Sequence, residues 1–417
     1  MSKYIRLLER ILLIFFAYLT VSCNQKKEYL SPQTIPVRNA VGDYHMLNIS
    51  NYATDIRYIP LETDSLSLVA EIKQIIFEDE RILVSDQQNN CYLFYKDGKF
   101  DRRIGELGRG PNEYIRLYQV FMQDGLIFIN DLQKMLIYDP NGLLVDNINL
   151  RSPELREEYM VYNVLPLEKD IFVMDVVTYN NGYYPKAVLF GSNQSTAKPV
   201  KEYPSYIKLN KVSDGMFSLA NEVAKMYRFK DEVRTYKFIN YDTLFTIGQD
   251  REMKEAFIFD LGEFRPTMAY FEWRDRSVNF IRPERIFEST NHLFIEFFFG
   301  RYGPEPFQYT RYYADGEIRL STNSNVCGVF DKSTGGLTLM LQAIKGKLGF
   351  KNDIDNGPVL WPQYISSNNE LITYVSAEDF LDYYDKIENP KSQLAEIANK
   401  IKVDDNPIAI IAKLKTH

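Results

Sequence analysis

Carboxylates are the most plentiful reactive groups in this chain and imidazoles the scarcest: 56 Asp and Glu stand against three His. His45, His292 and His417 lie far apart in sequence. A zinc site needs three or four clustered ligands and a Ser-His-Asp triad a positioned imidazole, so His292 reads as a packed or strand-edge residue. Paired carboxylates can run hydrolase or lyase chemistry without histidine, but spacing alone selects no pair among 56. The loop Asn352-Asp353-Ile354-Asp355-Asn356-Gly357 has the outline of a calcium loop, with Asp353 and Asp355 as weak metal candidates. It lacks the third ligand before the glycine and a glutamate at the required distance, so a turn closed by Asx hydrogen bonds fits better. No cofactor is expected.

The most distinctive short stretch is Ile104-Gly-Glu-Leu-Gly-Arg-Gly-Pro-Asn-Glu-Tyr114. Its glycine spacing is not that of a dinucleotide fingerprint, and no helix follows. Two readings stay open. In the first, Arg109, Glu113 and Tyr114 form a ligand-binding cluster with Asp86 and Asp131. In the second the stretch is structural: glycines supply positive φ, Pro111 stiffens a crossing, and Arg109 pairs with Glu113.

The elements that would carry these residues form a repeat. Ile82-Leu-Val-Ser-Asp86 is followed by Ile127-Phe-Ile-Asn-Asp131 and, more faintly, by Ile171-Phe-Val-Met-Asp175, with the aspartates 45 and 44 residues apart. That period is the length of one four-stranded propeller blade. Apolar residues on both parities of each strand indicate sheets covered on both faces. Aromatics at 14% of residues, with 30 Tyr and 27 Phe, suit such sheets. The expected fold is all-β, a six-bladed β-propeller over 51–375. Residues 376–417 are expected to form C-terminal helices and a final strand packed on the propeller. Ser376 with Asp379 three residues on marks a helix start, and the early strand 56–61 is expected to complete the last blade.

The N-terminus reads as an address. Lys3, Arg6 and Arg10 precede the apolar run Ile11–Leu19, too short to span a bilayer of about 30 Å. Thr20-Val-Ser-Cys23 then resembles a bacterial lipobox, although the usual leucine three places before the cysteine is Thr20. Residues 1–23 are therefore expected to be a lipoprotein signal peptide with Cys23 acylated, and 24–50 a tether bearing Pro32 and Pro36. A multi-acyl anchor gives stable membrane attachment, which implies an outer-membrane lipoprotein, periplasmic or surface-exposed. The net charge of −7 is dispersed and argues against nucleic acid, which needs a concentrated basic face. Cys91 and Cys327 both lie in apolar strands and are expected to be unpaired.

Tyr58-Ile-Pro-Leu-Glu-Thr63, the Ile104–Tyr114 stretch, Phe257-Ile-Phe-Asp-Leu-Gly-Glu263 and Asn352–Gly357 with Trp361-Pro362 occur in that order. Together with the lipobox they resemble the six-bladed β-propeller lipoproteins of gut-type Gram-negative bacteria, relatives of NHL-repeat and TolB-like propellers. The resemblance spans essentially the whole mature chain and implies a six-bladed ring and a lipid anchor, with no settled activity. A closed propeller presents a rigid loop-built face. The expected function is a binding or interaction module for a protein, peptide or glycan ligand. The alternative is a carboxylate-based hydrolase or lyase at the channel mouth, with or without calcium.

Overall fold

Runs such as Ile-Ile-Phe, Ile-Leu-Val and Leu-Ile-Tyr, too short and too β-branched for helices, pair with their neighbours into small antiparallel sheets. In the computed structural model, the structure describes residues 32–416 apart from 152–158, 179–186, 194–195, 205–223, 238–241, 267–278, 313–316 and 389. The expected signal segment and the lipidation candidate Cys23 lie outside the described residues.

The fold is a six-bladed β-propeller. Blade one is the meander Ile72–Glu78, Arg81–Asp86, Cys91–Tyr95 and Phe100–Arg103. Blade two follows with Gln119–Gln123, Leu126–Asn130, Lys134–Tyr138 and Leu144–Asn149. Blade three comprises Tyr159–Glu168, Ile171–Thr178, Ala187–Asn193 and Thr196–Tyr203; blade four comprises Lys225–Phe229, Glu232–Tyr236, Thr243–Ile247 and Met253–Phe259. Strands of both parities are buried because each sheet is sandwiched between two others, as Ile82, Leu83, Val84 and Leu93 illustrate. Cys91 and Cys327 are both buried free thiols, and burial pushes both thiols well up from their ordinary pKa.

Blade five runs Arg282–Glu288, His292–Phe298, Asn325–Asp331 and Leu337–Met340. Phe307–Tyr312 and Ile318–Asn323, strand-like in sequence, form a separate two-stranded hairpin between its second and third strands. The last blade therefore starts at Tyr364.

Blade six is assembled from both chain ends. Tyr364–Ile365 and Glu370–Val375 pair in sequence order; Ile408–Leu414 adds next, and Ala53–Pro60 forms the outer strand. The final strand is thus built into the last sheet, so the propeller reaches past residue 375. Nothing simpler satisfies its backbone: the Ile-Ala-Ile-Ile-Ala run is buried and must be paired on both edges. Two short helices, Ala377–Tyr384 and Ser392–Ala398, are inserted between the second and third strands of this blade. The Ser376 side chain caps the first by accepting from Asp379 N at 3.0 Å; Phe380 of the first helix and Leu394 and Ile397 of the second are buried.

The expected tether also differs beyond residue 32. Gln33–Ile35 adds in parallel to the outer strand of blade four, and Tyr44–His45 to that of blade five. Ile35, Val37 and Ile49 are fully buried, and that apolar anchoring overrides the linker-like prolines. The segment is a belt along the rim before the chain enters blade six.

Candidate functional site

The six innermost strands surround a cavity of about 600 Å³. Residues 72–76, 78–79, 119–124, 226–231, 285–290, 363–367 and 369, with Leu165 of blade three, line it, so every blade contributes. The turns between first and second strands, including Asp79, Asp124, Lys230, Asp231, Thr290 and Ser367, form its mouth.

Polar side chains on the inner strands, and Tyr374 on the second strand of blade six, fasten neighbouring blades together. Gln74 accepts from Val120 N at 3.0 Å, and Gln119, one repeat on, accepts from Val164 N at 2.9 Å. Asn163 donates to the Ala224 carbonyl at 2.9 Å, and Tyr374 donates to that of Ile72 at 3.3 Å. Gln74 and Gln119 are 45 residues apart, so the repeat carried a signal for these positions that aspartate spacing alone obscured.

Two carboxylates in the lining are heavily engaged. Glu78 accepts from Tyr364 OH and Ser367 N, each at 2.7 Å, and from Ser367 Oγ at 2.5 Å, joining blade one to blade six. Burial, reinforced by Glu78, pushes the Tyr364 phenol well up, which keeps it a donor. Glu288 accepts from Tyr227 OH and Arg234 Nε, each at 3.0 Å, and from Lys332 Nζ at 2.7 Å, joining blades four and five. Burial lowers the Lys332 pKa, opposed by the attraction of Glu288. Both acids are saturated by fixed donors, an arrangement that clasps sheets together.

The residues singled out by sequence gather elsewhere, around the crossing from blade one to blade two. Asp86 is fully buried and accepts from Asn90 N at 2.8 Å and Asn90 Nδ2 at 3.0 Å. Asp131 accepts from Gln133 N and Lys134 N, at 2.9 and 2.8 Å, and more distantly from Ile115 N in the crossing. Tyr114 is buried in the core between blades one and two. Glu113 takes Gly110 N at 2.7 Å and does not pair with Arg109. A Cβ on Gly108 would sit 1.9 Å from Glu113 Oε2, so the glycine permits this closure. Gly105 does adopt a positive φ of 66°. Arg109 is exposed and makes no ion pair or hydrogen bond among the described residues. None of Asp86, Arg109, Glu113, Tyr114 and Asp131 lines the axial cavity.

The calcium-like loop is spent internally. Tyr58 OH donates to Asp355 Oδ1 at 3.0 Å and accepts from Asn352 Nδ2 at 2.9 Å. Gly357 N donates to Asp355, and Ser50 donates through N and Oγ to Asp353. Among the described residues no group of three or more His, Cys, Asp and Glu could hold a metal ion. His292 packs edge-on to Tyr52 at 5.1 Å and beside Phe294, away from the cavity.

Sheet topology and an axial cavity define a six-bladed β-propeller whose inner strands line a site open at its mouth. The chain belongs to the family described as a domain of unknown function, DUF4934, whose model matches residues 32–413. No curated protein matches it in sequence. Among solved structures it is similar to one described as an exported protein of Bacteroides fragilis, at 16% identity, covering 93% of this chain and 100% of that one with a TM-score of 0.65. A weaker similarity, TM-score 0.37 at 12% identity, is to the extracellular domain of a hybrid two-component system of B. thetaiotaomicron, covering 76% of this chain and 38% of that one.

Proposed function

We propose that the protein is an extracytoplasmic binding module, anchored by a lipid on Cys23, that holds a peptide or glycan segment or a similar small ligand in the axial cavity. One observation carries this reading: a cavity of about 600 Å³ lined from all six blades, within the range of small-ligand pockets. The lipobox-like N-terminus and the exported description of the Bacteroides fragilis protein support the location. Glu78 and Glu288 are consumed in fastening blades, which favours binding over carboxylate-driven hydrolase or lyase chemistry.

Two substitutions test the parts separately. Cys23→Ser is expected to abolish labelling by a fatty-acid analogue and release the protein from membranes; retained labelling contradicts the anchor. Thr290 is exposed at the mouth and holds only a backbone hydrogen bond, so Thr290→Trp narrows the entrance without touching the core. Small molecules carried through gentle purification and read by mass spectrometry should be lost from this variant. An unchanged complement places binding elsewhere.

A further inference from the structure

Four of the five amide side chains that line the cavity are oriented the same way with respect to polarity. Gln74 and Gln119 each spend the carbonyl oxygen on a backbone N–H of the next blade. Gln363 spends its own on Arg285 Nη2 at 2.5 Å, and Asn369 on Thr290 N at 2.9 Å. Because each partner is a donor, the amide flip is fixed: oxygen toward the protein, NH₂ left over. Those four NH₂ groups have no partner among the described residues; that of Asn369 is sealed from the cavity, which leaves the amides of Gln74, Gln119 and Gln363 as donors for a ligand. Gln123 is the exception, its amide donating to Asp124.

The charged lining points the same way. Glu78 and Glu288 are saturated by donors, as described above, and offer a ligand little accepting capacity. Arg285 is partly exposed, its nearest carboxylate being Glu296 at 3.8 Å. Lys230 is exposed at the mouth with no acidic partner among the described residues, stacking only on Phe229. Asp79, Asp124 and Asp231 are confined to the turns of the rim, and Asp231 lies 3.7 Å from Arg228.

We infer that the axial cavity is built for an acceptor-rich, carboxylate-bearing small molecule. Unspent N–H donors with two underused cations leave a polarity deficit that a carboxylate and its neighbouring oxygens fill, and that an ammonium would worsen. This rests on the cavity being the ligand site. Phe121 and Phe287 supply the apolar wall that such a pocket needs.

The test is a charge series on the full chain: glucuronate, glucose and glucosamine, with citrate as a carboxylate lacking the sugar ring, each followed by titration calorimetry and by ligand-observed NMR. Glucuronate and citrate are expected to bind and to compete with each other, and glucosamine to be excluded. Arg285→Gln and Lys230→Gln should each weaken glucuronate by about tenfold, the scale of one charge-assisted hydrogen bond. Two variants are used because Arg285 also contacts Gln363, whereas Lys230 is free of the fold. Binding of glucosamine or glucose in preference to glucuronate, blocked by Thr290→Trp, overturns the carboxylate inference and keeps the cavity as the site. Carboxylate binding that both glutamine variants and Thr290→Trp leave unchanged overturns the cavity reading itself, as does failure of every probe to bind.

Discussion

Arg109 and Tyr114 are five residues apart and belong to different physical worlds. Arg109 is solvated and unpaired among the described residues, while Tyr114 is 2% exposed in the core between the first two blades. Arg109→Ala is expected to leave the melting temperature unchanged. Tyr114→Ala should cost about 3–5 kcal/mol, the usual price of deleting a buried aromatic, read by denaturant unfolding. His292 gives a pH signature. Burial between Tyr52 and Phe294 lowers its pKa, opposed by the nearby Asp331, while Lys332 adds to the lowering. The unfolded chain therefore takes up a proton first as pH falls from about 6.5. Above that value the histidine is neutral in both states and contributes nothing to the pH dependence; below it stability is lost until the folded pKa is passed. Melting temperatures measured from pH 7.5 to 5.5 should decline, and His292→Phe should flatten that decline. An unaltered slope in the variant would show that other groups set it.

At the scale of elements, ring closure depends on one strand. Ile408–Leu414 is paired on one edge to Glu370–Val375 and on the other to Ala53–Pro60. Removing residues 404–417 leaves two unpaired edges facing each other across a missing strand, with Ile410 and Ile411 gone from the core. The truncated chain is expected to lose its cooperative thermal transition in circular dichroism and to aggregate; a two-state melt near that of the full chain would refute this account of closure. The repeat was legible because Asp86, Asp131 and Asp175 recur at a blade-length period on the second strands of successive blades, at the strand end, just past it and inside it respectively. The helix start at Ser376 was legible from its cap. The rim belt was not, because three-residue and two-residue strands carry no periodicity and their prolines resemble a linker. The blade-five hairpin was not either: Phe307–Tyr312 has the composition of a blade strand, and only its pairing with Ile318–Asn323 excludes it from the sheet.

At the scale of the molecule, the site is formed by residues almost 300 positions apart that share nothing except their place on innermost strands, so no local motif announces it. The conspicuous Gly-Arg-Gly-Pro crossing instead closes on itself through Gly108 N to the Tyr114 carbonyl at 3.0 Å and ties to blade two through Lys134. Its distinctive residues are explained by blade joining, while the cavity draws on ordinary glutamines whose meaning appears only once the ring is closed. The central claim, that ligand is held on the axis, is tested most directly by hydrogen–deuterium exchange of the full chain with and without the small-molecule fraction of the cells that make it. Added protection is predicted in residues 72–79, 119–124, 226–231 and 285–290, the inner strands and mouth turns. Protection confined to residues 104–118, or none in any segment, would contradict the account.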